Sequence, residues 1–376
     1  MENKISDKYN ISPFMVFFLL YASMVEVGVL NYQRILVNHA GYNAWISIVI
    51  TGISIHLIVW MIYKIISSNE ASIDLVAINS ICFGAFTGKI LNIAIILYFF
   101  FGAFITFRGH VAVIQVWLFP AMPILPISLI IAVLIYYTIS GGFRSITGIS
   151  FWGTIASIIC ILPLPFLILR YLHPQNLLPL VNHSLADLLL SSKSMVFQYL
   201  GIEALLMFHP FIQAPAKSQK WAHLAVFSAT FLYLSFGLAT FMYYSEDQLL
   251  LNIWPTMHII MILAVPLFQR LELFIVSVLF ITMLASISLG LWVACRGAKN
   301  SLHIKQPLSL IAFLIGFLIL EALIKDYNTI KQLTAYYTTV GFYFIYVYIP
   351  LIFVIMQIRK KWRKRLKSQS KPENAF

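Results

Sequence analysis

Long apolar runs, separated by brief polar or Pro/Gly punctuation, fill almost the whole 376-residue chain. A transmembrane helix needs about 20 apolar residues to cross the hydrocarbon of a bilayer, and that length sorts the runs. Five in the first half qualify: Pro13 to Ile35, Ala44 to Ile66, Leu91 to Val116, Ile124 to Ile139 and Phe151 to Leu169. Five follow in the second half: Met195 to Ile212, Ala222 to Tyr244, Leu273 to Ala294, Leu308 to Ile324 and Ala335 to Ile358. A further stretch, Ile253 to Phe268, is short and carries Pro255, His258 and Pro266, which predicts a re-entrant or interfacial segment. The pattern predicts an all-α membrane protein of ten transmembrane helices.

Ten divides into five plus five. An odd number of crossings per half forces the halves into opposite membrane orientations, which is how an inverted repeat arises. The expected organisation is one transmembrane domain, with repeat one at about 13–169, repeat two at about 195–358 and a tail over 359–376. Low-complexity tracts and Gly/Ser linkers are absent from the sequence, so no second domain is expected.

Composition agrees with the pattern. The chain is 61% hydrophobic and 10% charged, against about 25% charged for a soluble domain. This excludes a cytosolic enzyme, a secreted disulfide scaffold and a disordered chain. Cys82, Cys160 and Cys295 stand far apart without metal or CxxC spacing and read as inert thiols. The mixed-charge opening MENKISDKYN leads into the first run without a small-residue cleavage site, so a retained first span is expected rather than a removed signal peptide.

The net charge of +12 orients the chain. With the N-terminus inside, the inner segments hold Lys4, Lys8, Lys64, Lys89, Arg144, Lys217, Lys220, Arg296, Lys299, Lys305 and eight C-terminal cations, 18 of the 25 Lys and Arg residues. The outer segments hold only Arg34, Arg170, Lys193, Arg270, Lys325 and Lys331, with Arg108 inside the third span. By the positive-inside rule both termini are expected in the cytoplasm. The run from Arg359 to Lys367, just past the last span, reads as a cytoplasmic stop and an anchor for anionic lipid rather than a nucleic-acid tail.

Two acids within apolar spans carry the chemistry. Glu26 in the first span and Glu203 in the sixth each cost at least about 2.5 kcal/mol to insert at mid-membrane, so something must offset them. Each lies two residues from a glycine, in Val25-Glu26-Val27-Gly28 and in Leu200-Gly201-Ile202-Glu203. Matched interruptions at corresponding places of two inverted halves point to a central binding site. Glycine lets the backbone leave helical geometry, so that free N–H groups can face a ligand carboxylate and free carbonyls an ammonium. The simpler alternative is that both glycines serve close helix packing. A neutral Glu203 would hydrogen-bond the unwound backbone, and a charged one would bind an ammonium or a proton.

Other polar positions extend the candidate site. Tyr98, Gly102 and Ile105 share one face of the third span, offering a hydroxyl and a gap for a neighbouring backbone. Thr282, Ser286 and Ser288 interrupt the eighth span and either bond their own helix, the simpler expectation, or reach a ligand. Arg108 and His110 lie deeper than snorkelling explains; Arg108 pairs with Glu26 or Glu203, or sits near the outer interface. His209-Pro210 and Trp254-Pro255 read as structural punctuation. P-loop, GxSxG, HExxH and clustered His/Cys patterns do not occur in the sequence, so no enzyme, cofactor or metal is expected.

The string Phe197-Gln198-Tyr199-Leu200-Gly201-Ile202-Glu203-Ala204-Leu205-Leu206-Met207-Phe208-His209-Pro210 resembles the sixth-span signature of spore germinant-receptor B subunits. Those proteins are ten-span members of the amino acid–polyamine–organocation transporter superfamily. Asn252-Ile253-Trp254-Pro255-Thr256 and Gln269-Arg270-Leu271-Glu272 resemble the same family, with Gln269 in place of a usual Glu and Glu26-Val27-Gly28 departing from many members in the first span. The resemblance implies a LeuT-like fold with spans one and six broken. It also implies a nutrient sensor in the inner membrane of a dormant spore, working with a larger membrane A subunit and a C-subunit lipoprotein. Its ligand would be a small germinant, often an amino acid, held near Gly28 and the segment Gly201 to Glu203. A proton- or sodium-coupled amino acid permease is the alternative.

Overall fold

Backbone N–H and C=O groups find no partners in hydrocarbon, so a chain this apolar folds into helices that close their own hydrogen bonds. The computed structural model describes residues 9–68, 73–263, 269–324 and 326–369, and helices account for nearly all of its regular structure. Lys4, Lys8, Lys325, Lys371 and the Ala264–Phe268 end of the expected re-entrant stretch lie outside the described residues.

The chain runs through α1 (Met15–Met24), α2 (Tyr32–Ala40), α3 (Ala44–Ile66), α4 (Leu75–Phe83), α5 (Ala85–Trp117), α6 (Ile124–Ser140) and α7 (Phe143–Cys160). It continues with α8 (Leu185–Met195), a short apolar helix α9 (Ile202–Phe211), α10 (Gln219–Tyr243), α11 (Glu246–Leu251) and α12 (Pro255–Met261). Last come α13 (Leu271–Leu302), α14 (Gln306–Leu323), α15 (Tyr327–Tyr343), a π-helical turn at Phe344–Tyr348 and α16 (Ile349–Gln369). Among the described residues seven helical stretches are long and apolar enough to cross a membrane, and α1, α6 and α9 are shorter apolar helices.

Expectation and structure coincide at α3 and nearly so at α6, where the apolar runs end in polar or proline residues. They part where helix continues through weakly apolar sequence. The fifth span begins at Phe143 rather than Phe151. The sixth is preceded by α8, which apolar length alone does not reveal. A local signal marks its start: the Ser184 side chain accepts from the Asp187 N–H at 3.2 Å while the Asp187 carboxylate accepts from the Ser184 N–H at 3.1 Å. This reciprocal cap satisfies donors that a helix start leaves free. Ser184→Ala is expected to lower stability by about 1 kcal/mol, read as a small fall in the melting temperature of the purified chain. Asp74 starts α4 in the same way, accepting from the Ala77 N–H at 3.2 Å.

Packing sets the stage for a site between α1, α5, α8–α9 and α13. Helix α13 lies along α5 and α7, and α1 packs against α7, α10 and α13. Gly153 lets α7 meet α13 closely, since a Cβ there would stand 3.0 Å from the Thr282 Cα. At one end of the bundle Ile11 and Ile212 form a parallel bridge, with the Ile11 N–H donating to the Phe211 carbonyl at 2.8 Å. Trp254 and Pro255 open α12, as the punctuation predicts, and Thr256 donates to the Val29 carbonyl at 2.9 Å, tying α12 to the interrupted first segment.

Two charge expectations are corrected. Arg108 pairs with neither Glu26 nor Glu203; its Nε lies 3.4 Å from the Glu321 carboxylate on α14. Glu321 is thus another buried acid, overlooked because it falls near the end of an apolar run. Lys193 belongs to α8 rather than to a preceding loop, and its ammonium lies 5.6 Å from the centre of the Phe342 ring. His110 is buried and stacks on Phe280, their ring centres 5.0 Å apart.

Candidate functional site

The two halves of the first segment are joined by non-helical backbone. Helix α1 ends at Met24, Val25 leaves helical geometry (φ −98°, ψ 88°), Glu26 is extended (φ −123°, ψ −160°), and Val27–Leu30 forms a 3-10 turn before α2. The Tyr233 hydroxyl donates to the Met24 carbonyl at 2.6 Å, satisfying an acceptor that the lost helical turn exposes. In the sixth segment α8 runs through a 3-10 turn to Leu200 (ψ 143°) and Gly201 (φ +106°), after which α9 begins.

The two glycines do different work. Gly201 occupies positive φ, which a side chain disfavours, and a Cβ there would stand 2.9 Å from the Ser23 Cβ on α1. Gly28 is absent from the positive-φ glycines. A Cβ at Gly28 would meet the Gln198 amide, so this glycine serves close approach between the interrupted segments. The expectation of conformational freedom holds at Gly201, whereas packing accounts for Gly28.

Glu203 is fully buried and holds the break together. Its carboxylate accepts from the Gly201 N–H at 2.9 and 3.0 Å and from the Tyr98 hydroxyl at 2.7 Å. A helix-start N–H that sequence reasoning offered to a ligand carboxylate is therefore already taken by the chain's own acid. Glu26 accepts from the Thr106 hydroxyl at 2.8 Å through one oxygen and from the Ser286 hydroxyl through the other. Thr106, on α5, carries no motif and lay hidden in the third span.

A cavity lies between these groups, lined by Ser23, Glu26, Phe99, Gly102, Ala103, Thr106, Phe197, Leu200, Gly201, Glu203, Ala204, Ser286, Leu289, Gly290 and Tyr337. Its volume is about 50 Å³. One water takes about 10–15 Å³ on the same measure, so the space holds roughly three to five waters.

Of the sequence-predicted residues, Glu26, Gly102, Leu200, Gly201, Glu203 and Ser286 reach the cavity wall, and Tyr98 stands behind it on Glu203. Val25, Gly28 and Ile202 are buried beside it without lining it. Thr282 is elsewhere, donating to the Gly153 carbonyl at 3.2 Å where α7 crosses α13, so it bonds a neighbouring helix rather than its own. The gap at Gly102 is filled by the Tyr337 ring rather than by backbone, since a Cβ there would come within 2.2 Å of the Tyr337 hydroxyl. Tyr337 also stacks on Tyr98 at 5.0 Å. Its residue type gave no signal among 19 tyrosines; only the fold brings it here.

Helices interrupted around one cavity, in a chain with this many apolar spans, define an integral membrane protein with a LeuT-like transporter fold. Solved transporters share the fold at low identity. A Na+-coupled sialic acid symporter in a substrate-bound outward-open state aligns with a TM-score of 0.67 at 11% identity, over 92% of this chain and 82% of that one. Mhp1, a nucleobase-cation-symport-1 family transporter, aligns at 0.56 and 12%, over 90% and 79%. A manganese transporter of Eremococcus coleocola aligns at 0.53 and 13%, over 92% and 78%. Within that class the chain belongs to the spore germination protein family, whose model matches residues 10–330. It is 34% identical to spore germination protein GerQB of Bacillus cereus over 96% of this chain and 99% of that protein. It is 22% identical to spore germination protein B2 of Bacillus subtilis (strain 168) over 68% of this chain and 70% of that one.

Proposed function

We propose that the chain is the nutrient-sensing subunit of a spore germination receptor, with a germinant bound between its broken first and sixth spans. The observation that carries this reading is the cavity shared by two interrupted segments in a chain of this family. Counting α1 with α2, and α8 with α9, as two broken spans gives ten crossings in two inverted halves, about 13–169 and 185–358. Both ends and the basic 359–376 tail then lie in the cytoplasm, against the inner membrane of the spore, with the tail cations holding anionic lipid. The germinant is a small nutrient, an amino acid in the first instance. Its binding biases a conformational equilibrium that a larger membrane A subunit and a C-subunit lipoprotein read. A ligand shifts such an equilibrium only through its different affinities for the two states, and half-helices meeting at one cavity give it contacts that change as they move.

A coupled amino acid permease is the second reading, favoured by the symporters that share the fold. Vesicles containing only this chain separate the two. We expect no concentrative uptake of labelled alanine, while spores lacking the chain fail to germinate on their nutrient. Robust uptake would replace the sensor with a carrier.

A further inference from the structure

The proposed site is lopsided in charge. Two carboxylates reach the cavity, and among the described residues no Lys, Arg or His lines it. The nearest buried guanidinium in chain order, Arg108, faces Glu321 instead. Several hydrogen-bond donors on the wall are also engaged. Ser23 donates to the Leu20 carbonyl at 2.9 Å, Thr106 and Ser286 donate to Glu26, and the Gly201 N–H donates to Glu203.

Acceptor capacity is what the wall has in surplus. An ionised carboxylate offers about four lone-pair sites. Glu203 is fully buried and already serves Tyr98 and Gly201. Glu26 is only partly buried, accepts one hydroxyl on each oxygen, and lines the cavity. The faces of Phe99, Phe197 and Tyr337 complete the wall, and aromatic rings attract cations through their quadrupoles.

We infer that the cavity recognises a small ammonium group, with Glu26 as its counter-ion. The inference rests on the cavity being the germinant site and names the chemistry it selects: a primary amine suffices, and an amino acid is held through its amine. Glu26 is the specificity-determining residue, and Glu203 is a positioning residue that shapes the break.

The test uses the full-length chain in lipid nanodiscs at matched ionic strength, with ethylamine hydrochloride, alanine, sodium propionate, sodium chloride and potassium chloride as probes and the melting temperature as readout. Ethylamine and alanine are expected to raise it, propionate and the inorganic salts to leave it unchanged, and Glu26→Gln to weaken ethylamine by at least about tenfold. Stabilisation by propionate, or by alanine without ethylamine, would overturn the charge assignment while leaving the germinant site in place. An equal effect of sodium chloride would reassign Glu26 to an inorganic cation and overturn the inference. No shift with any organic probe in the unmutated chain also counts against it. None of these results depends on whether Glu26→Gln folds, and the receptor reading itself is judged separately in spores.

Discussion

Gly201→Ala is expected to abolish nutrient-triggered germination and to destabilise the chain more than any other single-methyl addition at the site. Two costs combine. A residue with a side chain held at φ +106° is strained by about 1–3 kcal/mol. The new Cβ would also stand 2.9 Å from the Ser23 Cβ, a contact with the root of a side chain on α1 that a rotamer change does not relieve. Overpacking of this kind costs about 1–3 kcal/mol, giving roughly 2–6 kcal/mol together. Gly28→Ala is the control, because its Cβ meets the far end of Gln198, which swings aside for about 1 kcal/mol. Melting of both purified variants, with the optical-density loss of spores carrying each and an immunoblot of their membranes, checks the contrast. Equal loss of stability in the two would show that positive φ at Gly201 is not what the break requires. A normal germination response from Gly201→Ala would move the site elsewhere.

The second large effect is expected at Glu203. Its carboxylate is the acceptor for the Gly201 N–H and the Tyr98 hydroxyl. Glu203→Ala leaves both donors buried and unpaired, at about 1–3 kcal/mol each. Tyr98→Phe removes one donor and leaves the Gly201 contact intact, so a smaller loss is expected. Glu203→Gln keeps one acceptor oxygen but turns an NH2 toward a donor, and falls between them. The expected order of destabilisation is therefore Tyr98→Phe, then Glu203→Gln, then Glu203→Ala. A double-mutant cycle on Tyr98 and Glu203 is expected to give a coupling of about 0.5–3 kcal/mol. Greater stability of Glu203→Ala than of the unmutated chain would mean that Glu203 is held under strain for a ligand rather than serving as scaffold. An unchanged nutrient threshold in Glu203→Gln spores would exclude an essential negative charge there.

Much of the candidate site was legible at the level of single segments. An acid inside an apolar run is costly unless it is partnered, and a glycine two residues away marks where backbone leaves the helix; this pairing located both interruptions. It did not divide the work between the glycines, because φ at Gly201 and packing at Gly28 follow from what stands across each break. It did not find Thr106 or Tyr337, since one threonine or one tyrosine in a helix has no local feature that separates a cavity wall from a lipid face. Arg108 was legible as a problem but not as a solution: its partner Glu321 sits on another helix, two residues before that helix ends at Leu323.

By itself the sequence determined the membrane class, most of the apolar segments and the two interruptions. These depend on the chemistry of adjacent residues: the length of an apolar run, the cost of a buried charge, and the freedom of glycine. Only the tertiary structure decided which groups face one another. Glu26 meets Thr106 across 80 positions of chain and Ser286 across 260, while Glu203 meets Tyr98 across 105. No local pattern specifies such pairs. Helix packing brings them together, and with them comes the character of the cavity, rich in acceptors and with its serine and threonine hydroxyls already engaged.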